Sequence, residues 1–131
     1  MTTTEVTPVF EPGRTITFTF EAAATAGASL KLGAADYSVV PATTVTDLVI
    51  GQAEHDVSEG RRAAVGMTTG HGVRRYQTTT PIPVGTFVGP AGGGTVTPVT
   101  TGPAIGVVVK ASTTTDPTVH VLVGVPFTEG V

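Results

Sequence analysis

The chain has 131 residues with 17 Gly, 10 Pro and no Cys, and its formal net charge is −3. Nucleic-acid binding depends on clustered Lys and Arg, so this charge balance argues against it, and the lack of cysteine excludes a disulfide framework and thiolate chemistry. No apolar run approaches the ~20 residues of a membrane helix and the first residues carry no secretion signal, so no membrane partner is expected.

Residues 1–13 are predicted to form an extended N-terminal arm. Their apolar residues, Val6, Val9 and Phe10, follow no period, and prolines such as Pro8 block regular strand pairing. An arm of this kind can add to an exposed sheet edge of a neighbouring subunit, where main-chain hydrogen bonds supply affinity. The competing interpretation is a terminus without fixed structure.

Residues 14–131 are predicted to form a single all-β domain, because threonine and valine dominate the chain and glycine and proline punctuate it. The first strand, Arg14 to Glu21, alternates clearly, with Ile16, Phe18 and Phe20 on one face. No segment sustains helical spacing over three turns. The later predicted strands are Ser29 to Leu32, Tyr37 to Val40, Val45 to Gln52, Arg62 to Thr68, Val73 to Gln77, Thr86 to Val88, Thr95 to Val99, Ala104 to Lys110 and Thr118 to Val125.

The chain carries one set of short motifs twice. Val40-Pro41-Ala42-Thr43-Thr44 recurs as Thr97-Pro98-Val99-Thr100-Thr101, and Val49-Ile50-Gly51 recurs as Ala104-Ile105-Gly106. A repeat at this spacing indicates one supersecondary unit used twice, with both copies needed to close a core. The predicted units cover 22–77 and 84–127.

Glycines at matching places in the two units predict curved strands. The motif alignment matches Gly51 with Gly106 and Gly66 with Gly124. Glycine inside a strand marks a bulge, a bend or a close backbone approach, and repeated bends let a sheet curl into a barrel. The predicted body is therefore a compact β-barrel or β-tulip-like fold built by internal duplication.

The histidines do not form a convincing reactive site. Glu54-His55-Asp56 is the densest cluster of titratable groups, but neighbours on a strand point to opposite faces, so a solvated turn is the better interpretation. His120 aligns with Arg62 of the other unit, which indicates a position tolerant of any polar group.

Other candidates for chemistry are equally weak. The run Gly92 to Gly94 lacks the Lys and Ser/Thr of a phosphate loop and is predicted to be a hairpin loop. No serine lies in a nucleophile motif. The chain is therefore predicted not to be an enzyme, with no catalytic residue, cofactor or metal.

Two arginine pairs, Arg61-Arg62 and Arg74-Arg75, hold four of the seven basic residues. One interpretation is a contact set for acidic groups on a partner protein, since arginine is favoured at interfaces. The other is ordinary surface charge. The candidate capsid or trimer interface residues are Val6, Pro8, Val9, Phe10, Arg14, Arg61, Arg62, Arg74 and Arg75.

The repeated motifs resemble those of a known family. Thr25-Ala26-Gly27, Leu30-Lys31-Leu32, Val39-Val40-Pro41 and Val49-Ile50-Gly51-Gln52-Ala53, with their second copies, resemble small capsid decoration proteins of tailed bacteriophages. The resemblance implies a β-rich body made in the host cytoplasm that assembles as a homotrimer on the outer capsid surface. It also implies binding to the major capsid protein at three-fold and quasi-three-fold sites, which stabilises the shell.

Two further classes of function stay open. Another virion structural module, such as a head-fibre base or a tail or baseplate component, would share this composition. A carbohydrate-binding β-domain is the other class, although sugar sites usually use exposed aromatic platforms and the chain has no Trp and only Tyr37 and Tyr76.

Overall fold

Short alternating segments form nearly all of the regular structure. A computed structural model describes residues 15–69, 72–101 and 103–124, and the all-β prediction is confirmed there. The predicted arm at 1–13 and the candidate interface residue Arg14 lie outside the described residues. The strands are β1 (Thr15–Phe20), β2 (Ser29–Leu32), β3 (Ser38–Pro41), β4 (Gly51–Ala53), β5 (Arg62–Met67), β6 (Gly72–Thr78), β7 (Phe87–Pro90), β8 (Thr95–Pro98), β9 (Gly106–Lys110) and β10 (Thr118–Val123).

The strands close into two barrels of five strands each. Barrel 1 has the order β1-β3-β2-β4-β5, and barrel 2 has the order β10-β6-β8-β7-β9. In barrel 1, β1 pairs parallel with β3 and antiparallel with β5; in barrel 2, β6 pairs in the same ways with β8 and β10. The remaining pairs are antiparallel and match as well. The predicted duplication and barrel closure are confirmed, but each copy closes its own barrel, whereas the repeat spacing predicts one core closed by both copies.

The boundary between the two units differs from the predicted one. The predicted units at 22–77 and 84–127 leave β1 outside the first copy and assign β6 to it, whereas β6 lies in barrel 2 as the equivalent of β1. The paired motifs lie around β2 to β4 and β7 to β9. Because β1 carries Phe18 and Phe20 where β6 carries Tyr76 and Thr78, the repeat of the first strand is hidden in the sequence.

One glycine match is confirmed and the other is wrong. Gly51 lies opposite Leu30 and Gly106 lies opposite Val88, the equivalent positions of the two barrels. Each closely approaches a neighbouring strand: a Cβ on Gly51 would lie 2.9 Å from the Gly66 carbonyl oxygen, and one on Gly106 would overlap the Leu122 carbonyl oxygen.

By contrast, Gly66 is not equivalent to Gly124. Gly66 lies opposite Thr15 in barrel 1, and the matching position of barrel 2, opposite Val73, is Leu122. The same register makes Ala64, and not Arg62, the equivalent of His120.

The predicted strand Val45 to Gln52 is mostly a loop, and only Gly51–Ala53 pairs. The carboxylate of Asp47 accepts hydrogen bonds from the amides of Thr43 (3.0 Å) and Thr44 (3.2 Å), which closes a turn inside the apolar run. Side-chain capping by Asp competes with strand pairing in this way. The loop between β3 and β4, residues 42–50, is called the plug loop below.

Each barrel has its own core, and the plug loop joins them. Ala42 and Val49 of the plug loop are buried in the cluster that otherwise belongs to barrel 2. Barrel 1 encloses Phe18, Phe20, Ala24, Leu30, Val39, Ala53, Val57 and Val65. Barrel 2 encloses Tyr76, Ile82, Val88, Val96, Ile105, Val108, Val119, Val121 and Val123. None of the helical structure within the described residues has the length and apolar character needed to cross a bilayer.

Candidate interaction surfaces

A polar network connects the two barrels. The Arg74 guanidinium Nη1 donates to Gln52 Oε1 and to Glu54 Oε2, each at 3.1 Å. Gln52 Nε2 donates to the backbone oxygens of Arg75 (2.7 Å) and Gly27 (3.1 Å). Because Arg74 is half-buried and pairs with a carboxylate, these bonds are charge-assisted and fix the orientation of the contact.

The same contact requires a residue without a side chain on β5. A Cβ at Gly66 would overlap the guanidinium of Arg74, so the arginine lies directly over the strand. Nearby, Tyr76 is 1% exposed, and burial raises the pKa of its hydroxyl, while the Arg74 charge and the Ser29 hydroxyl oppose that rise. Although Ser29 is close to Tyr76, neither hydroxyl makes a hydrogen bond of standard geometry among the described residues.

A row of outward-facing residues crosses four strands of barrel 1, and barrel 2 covers part of this row. Ser29 on β2 lies opposite Gln52 on β4, and Gln52 lies opposite Gly66 on β5. Gly66 in turn lies opposite Thr15 on β1. Ser29, Gln52 and Gly66 are buried there, and Thr15 at the end is exposed. This set, called the docking row below, consists of Ser29, Gln52, Gly66 and Thr15.

The arginine pairs predicted as interface residues have different environments. Arg61 and Arg62 are exposed at the start of β5, whereas Arg74 is half-buried inside the barrel–barrel contact. Arg62 lies four residues along β5 from the glycine that Arg74 covers, about 13 Å for an extended strand. Arg75 is exposed on β6. Among the described arginines, the exposed ones are therefore Arg61, Arg62 and Arg75.

The acidic and histidine cluster is a set of structural contacts. Glu54 pairs with Arg74, and Asp56 accepts a hydrogen bond from the Ala26 amide at 2.8 Å, while His55 is exposed. Among the described residues, no three His, Cys, Asp or Glu side chains gather as they would around a metal ion.

The Glu21 carboxylate organises the turn between β2 and β3. It accepts hydrogen bonds from the Ser38 hydroxyl (2.7 Å) and from the amides of Ala35 (2.8 Å) and Ala34 (3.1 Å). These bonds lower the pKa of Glu21, with the Ser38 hydroxyl as the largest cause. The turn also holds Tyr37 at φ 48, in the left-handed region, with its ring 6.3 Å from that of Phe18.

Barrel 2 carries an apolar row on its outer face. Phe87 on β7 lies opposite Val107 on β9, and Val107 lies opposite Leu122 on β10. Leu122 in turn lies opposite Val73 on β6. Val73 is 55% exposed and Leu122 is 37% exposed, while Phe87 and Val107 are half-buried. This set, called the outer row below, consists of Phe87, Val107, Leu122 and Val73. The motif alignment does not reveal this row, because it pairs Leu122 with Ala64, whereas the strand register pairs Leu122 with Gly66.

No family model and no curated protein matches this chain. Among solved structures, the chain is similar to the N-terminal base of the head fibre protein gp8.5 of bacteriophage phi29, with a TM-score of 0.66 and 18% sequence identity. The similarity covers 83% of this chain and 92% of that one. At this identity the likeness is one of fold.

Proposed function

We propose that this chain is a non-catalytic structural module of a phage particle, of the head-fibre-base kind, attached to the outside of the head. The observation that carries the proposal is the tandem-barrel fold, whose likeness to the base of a phage head fibre extends over 92% of that base. The motif resemblance to capsid decoration proteins supports a position on the head. Between those two interpretations, the fold favours the head-fibre base.

The proposed partners are the major capsid protein and further copies of this chain. We expect a homotrimer on the outer capsid surface, at three-fold or quasi-three-fold sites, made in the host cytoplasm and added to the head. A trimer presents each weak capsid contact three times, which raises avidity without new chemistry. Binding to the assembled shell would stabilise that shell by mass action.

The proposed capsid contacts are the exposed arginines and the arm at 1–13. Arg61, Arg62 and Arg75 present guanidinium groups that can pair bidentately with carboxylates of a partner. Arg74 is left out of this set, because its guanidinium already bonds to Gln52 and Glu54.

A carbohydrate-binding function is disfavoured by the tyrosines. Tyr76 is buried in the core of barrel 2, and Tyr37 is exposed beside Phe18. A sugar platform would therefore have to rely on Tyr37 without the second tyrosine.

The proposal is tested by adding the purified chain to heads of its own phage that were assembled without it. We expect the chain to co-sediment with these heads and to appear on their outer surface by electron cryomicroscopy. Replacing Arg61 and Arg62 by Ala should weaken the binding by about tenfold or more, since charged hydrogen bonds at an interface contribute about 1.5–3 kcal/mol each.

Lys110→Ala is the matched control, because Lys110 is an exposed cation that pairs with Asp116 of its own chain at 3.1 Å. It should bind heads as the unmodified chain does. Density at the tail or baseplate, or no binding to heads at all, would show the proposal to be wrong.

A further inference from the structure

The outer face of barrel 2 carries an apolar pair and a cationic pair side by side. Val73 on β6 lies opposite Leu122 on β10, and Arg75 on β6 lies opposite His120 on β10. Val73 is 55% exposed, Leu122 is 37% exposed, Arg75 is exposed and His120 is half-buried. These four residues are called the outer patch below. The patch is therefore apolar near the end of β10 and cationic two residues further back along that strand.

Only the exposed part of the outer row belongs to this patch. Phe87, at the far end of the row, is half-buried and has contacts of its own within the chain, so it is left out. The apolar pair is equivalent to Thr15 and Gly66 of the docking row, where Arg74 covers the glycine. In barrel 2 both members of the equivalent pair are exposed.

The cationic pair favours a carboxylate as its neighbour. Arg75 and His120 lie directly opposite each other, an arrangement in which like charges repel. Among the described residues, neither side chain takes part in an ion pair. Lys110, which lies opposite His120, pairs with Asp116 at 3.1 Å; Lys110 is the largest cause of the lowered pKa of Asp116, and His120 is the smallest. Arg75 therefore lacks a carboxylate partner within the described residues.

The chain leaves β10 next to this patch. Residues 125–131, called the tail below, follow β10 and lie outside the described residues. β10 pairs with β6 along one edge and with β9 along the other, and its inner face is buried, so the tail cannot add to the sheet at β10. Gly124 has φ 80, in the left-handed region, where glycine turns a chain. A chain that turns back here passes over the outer face.

The order and spacing of the tail residues match the patch. Alternate residues of an extended segment share a face, so Phe127, Glu129 and Val131 point the same way. Residues two apart along an extended chain are separated by about 6.6 Å, which is also the separation between Leu122 and His120 along β10. A tail that places Phe127 over the apolar pair therefore places Glu129 over the cationic pair.

We infer that the tail folds back over the outer face of barrel 2 of its own chain, with Phe127 packed on the apolar pair and Glu129 paired with Arg75 and His120. Seven extended residues span about 23 Å, which is enough to cross both pairs. The charges are complementary, because Glu129 is the charged side chain of the tail and the tail contains no Lys or Arg.

The tail fits this patch better than the arm at 1–13 does. The arm also carries carboxylates, Glu5 and Glu11, but it joins the described chain at Thr15 of barrel 1. The tail begins three residues after Leu122, on the strand that carries half of the patch, and its apolar residues precede its carboxylate in the order that the patch requires.

The folded-back tail also ranks the exposed arginines. A carboxylate of a partner protein reaches Arg75 only by displacing Glu129, whereas Arg61 and Arg62 lie on barrel 1, away from the outer patch. Arg61 and Arg62 are then the first of the three to make a contact with the capsid.

Crosslinking in the full chain tests the inference, and the chain has no Cys that would interfere. The spacing places Val131 over Gln77, which is exposed two residues beyond Arg75 on β6. A segment packed on a sheet lies about 10 Å above it, too far for a disulfide, so a short bismaleimide is the reagent. The double variant Gln77→Cys/Val131→Cys should form an intramolecular crosslink at least about tenfold faster than the control pair.

Val84→Cys/Val131→Cys is the matched control pair. Val84 is 63% exposed, and the amide of the adjacent Gly85 donates to the Val108 oxygen, which places Val84 at the β7 side of the barrel. In the five-strand order, β7 lies across the barrel from β6 and β10. Adding Phe127→Ser to the Gln77→Cys/Val131→Cys variant should slow its crosslink to the control rate, because the apolar contact of the tail is lost. Circular dichroism checks that each variant is folded.

A double-mutant cycle in the crosslinking variant tests the charge contact separately. Glu129→Gln and Arg75→Gln should each slow the crosslink about two- to fivefold, as expected for an ion pair at a surface. Together they should slow it by less than the product of the two single effects. Salt at 1 M, which screens charges beyond about 3 Å, should produce a similar loss. Glu59→Gln, which removes an exposed carboxylate of barrel 1, is the control and should have no effect.

Three outcomes would overturn the inference. One is an equal crosslinking rate for the Gln77 and Val84 pairs, and another is a crosslinked product with the mass of a dimer, since a second copy would then supply the tail. The third is faster crosslinking of Gln77→Cys to Val6→Cys in the arm than to Val131→Cys. None of these outcomes decides whether the chain binds heads, which the co-sedimentation experiment measures separately.

Discussion

At the scale of single residues, buried hydroxyls fall into two kinds. The Ser112 hydroxyl accepts a hydrogen bond from the Ile82 amide at 2.9 Å and another from the Thr78 hydroxyl at 3.2 Å, so it satisfies a buried backbone donor. The Tyr76 hydroxyl is buried without a partner among the described residues. A donor left unpaired in the interior costs more than a hydrogen bond gains, so the two residues should respond oppositely to removal of the hydroxyl.

Ser112→Ala should lower the free energy of unfolding by about 1–3 kcal/mol, because it leaves the Ile82 amide unpaired. Tyr76→Phe should leave that free energy unchanged or raise it slightly, because it removes an oxygen that makes no hydrogen bond. Urea unfolding followed by circular dichroism measures both changes. A larger loss for Tyr76→Phe than for Ser112→Ala would contradict this assignment.

At the scale of elements, the strands were predictable and their grouping was not. Alternation in β1 places Phe18 and Phe20 inside, as the sequence indicates. The predicted hairpin loop at Gly92–Gly94 is confirmed, since it connects the paired strands β7 and β8. Assignment of β6 to barrel 2 depends on pairing with β8 and β10, which are distant in sequence and leave no local signal.

The candidate surfaces were predictable only in part, for a related reason. An arginine pair is visible in a sequence, but whether its charge faces solvent depends on which strands meet. Arg74 turns into the barrel–barrel contact, whereas the adjacent Arg75 is exposed. The outer row has no motif, because its four residues come from four different strands.

The strand glycines give a prediction at the same scale. Gly106→Ala should destabilise the chain by about 1–3 kcal/mol, because its Cβ would overlap the backbone oxygen of Leu122 and the strands would have to move apart. Gly92→Ala is the control, since a Cβ there meets nothing within 4 Å. Thermal and urea unfolding of both variants measure the difference. Equal stability of the two would refute the close-approach explanation.

At the scale of the whole molecule, three carboxylates tie stability to pH. The Ser38 hydroxyl lowers the pKa of Glu21, the Lys31 hydrogen bond lowers that of Asp47, and the Lys110 hydrogen bond lowers that of Asp116. A carboxyl group with a lower pKa in the folded chain binds fewer protons there than in the unfolded chain. Its contribution is complete above the unfolded pKa and is lost as pH falls through the folded value.

The chain should therefore keep its full stability down to about pH 5 and lose it progressively below about pH 4, where unfolded carboxylates take up protons. Glu21→Gln should lower the Tm at neutral pH and flatten the acid limb of the Tm–pH curve. Glu59→Gln is the control, because Glu59 is an exposed carboxylate away from these contacts. A Tm that rises on acidification would contradict the prediction.

Through the plug loop, the first half of this chain supplies part of the core of the second half. Barrel 1 without its neighbour would present Ala42 and Val49 to water, and barrel 2 alone would have a hole where those side chains belong. The two halves should therefore be less stable apart than joined in one polypeptide. A tag or a fused domain is therefore best inserted in a surface turn of this chain, with both barrels kept in one polypeptide.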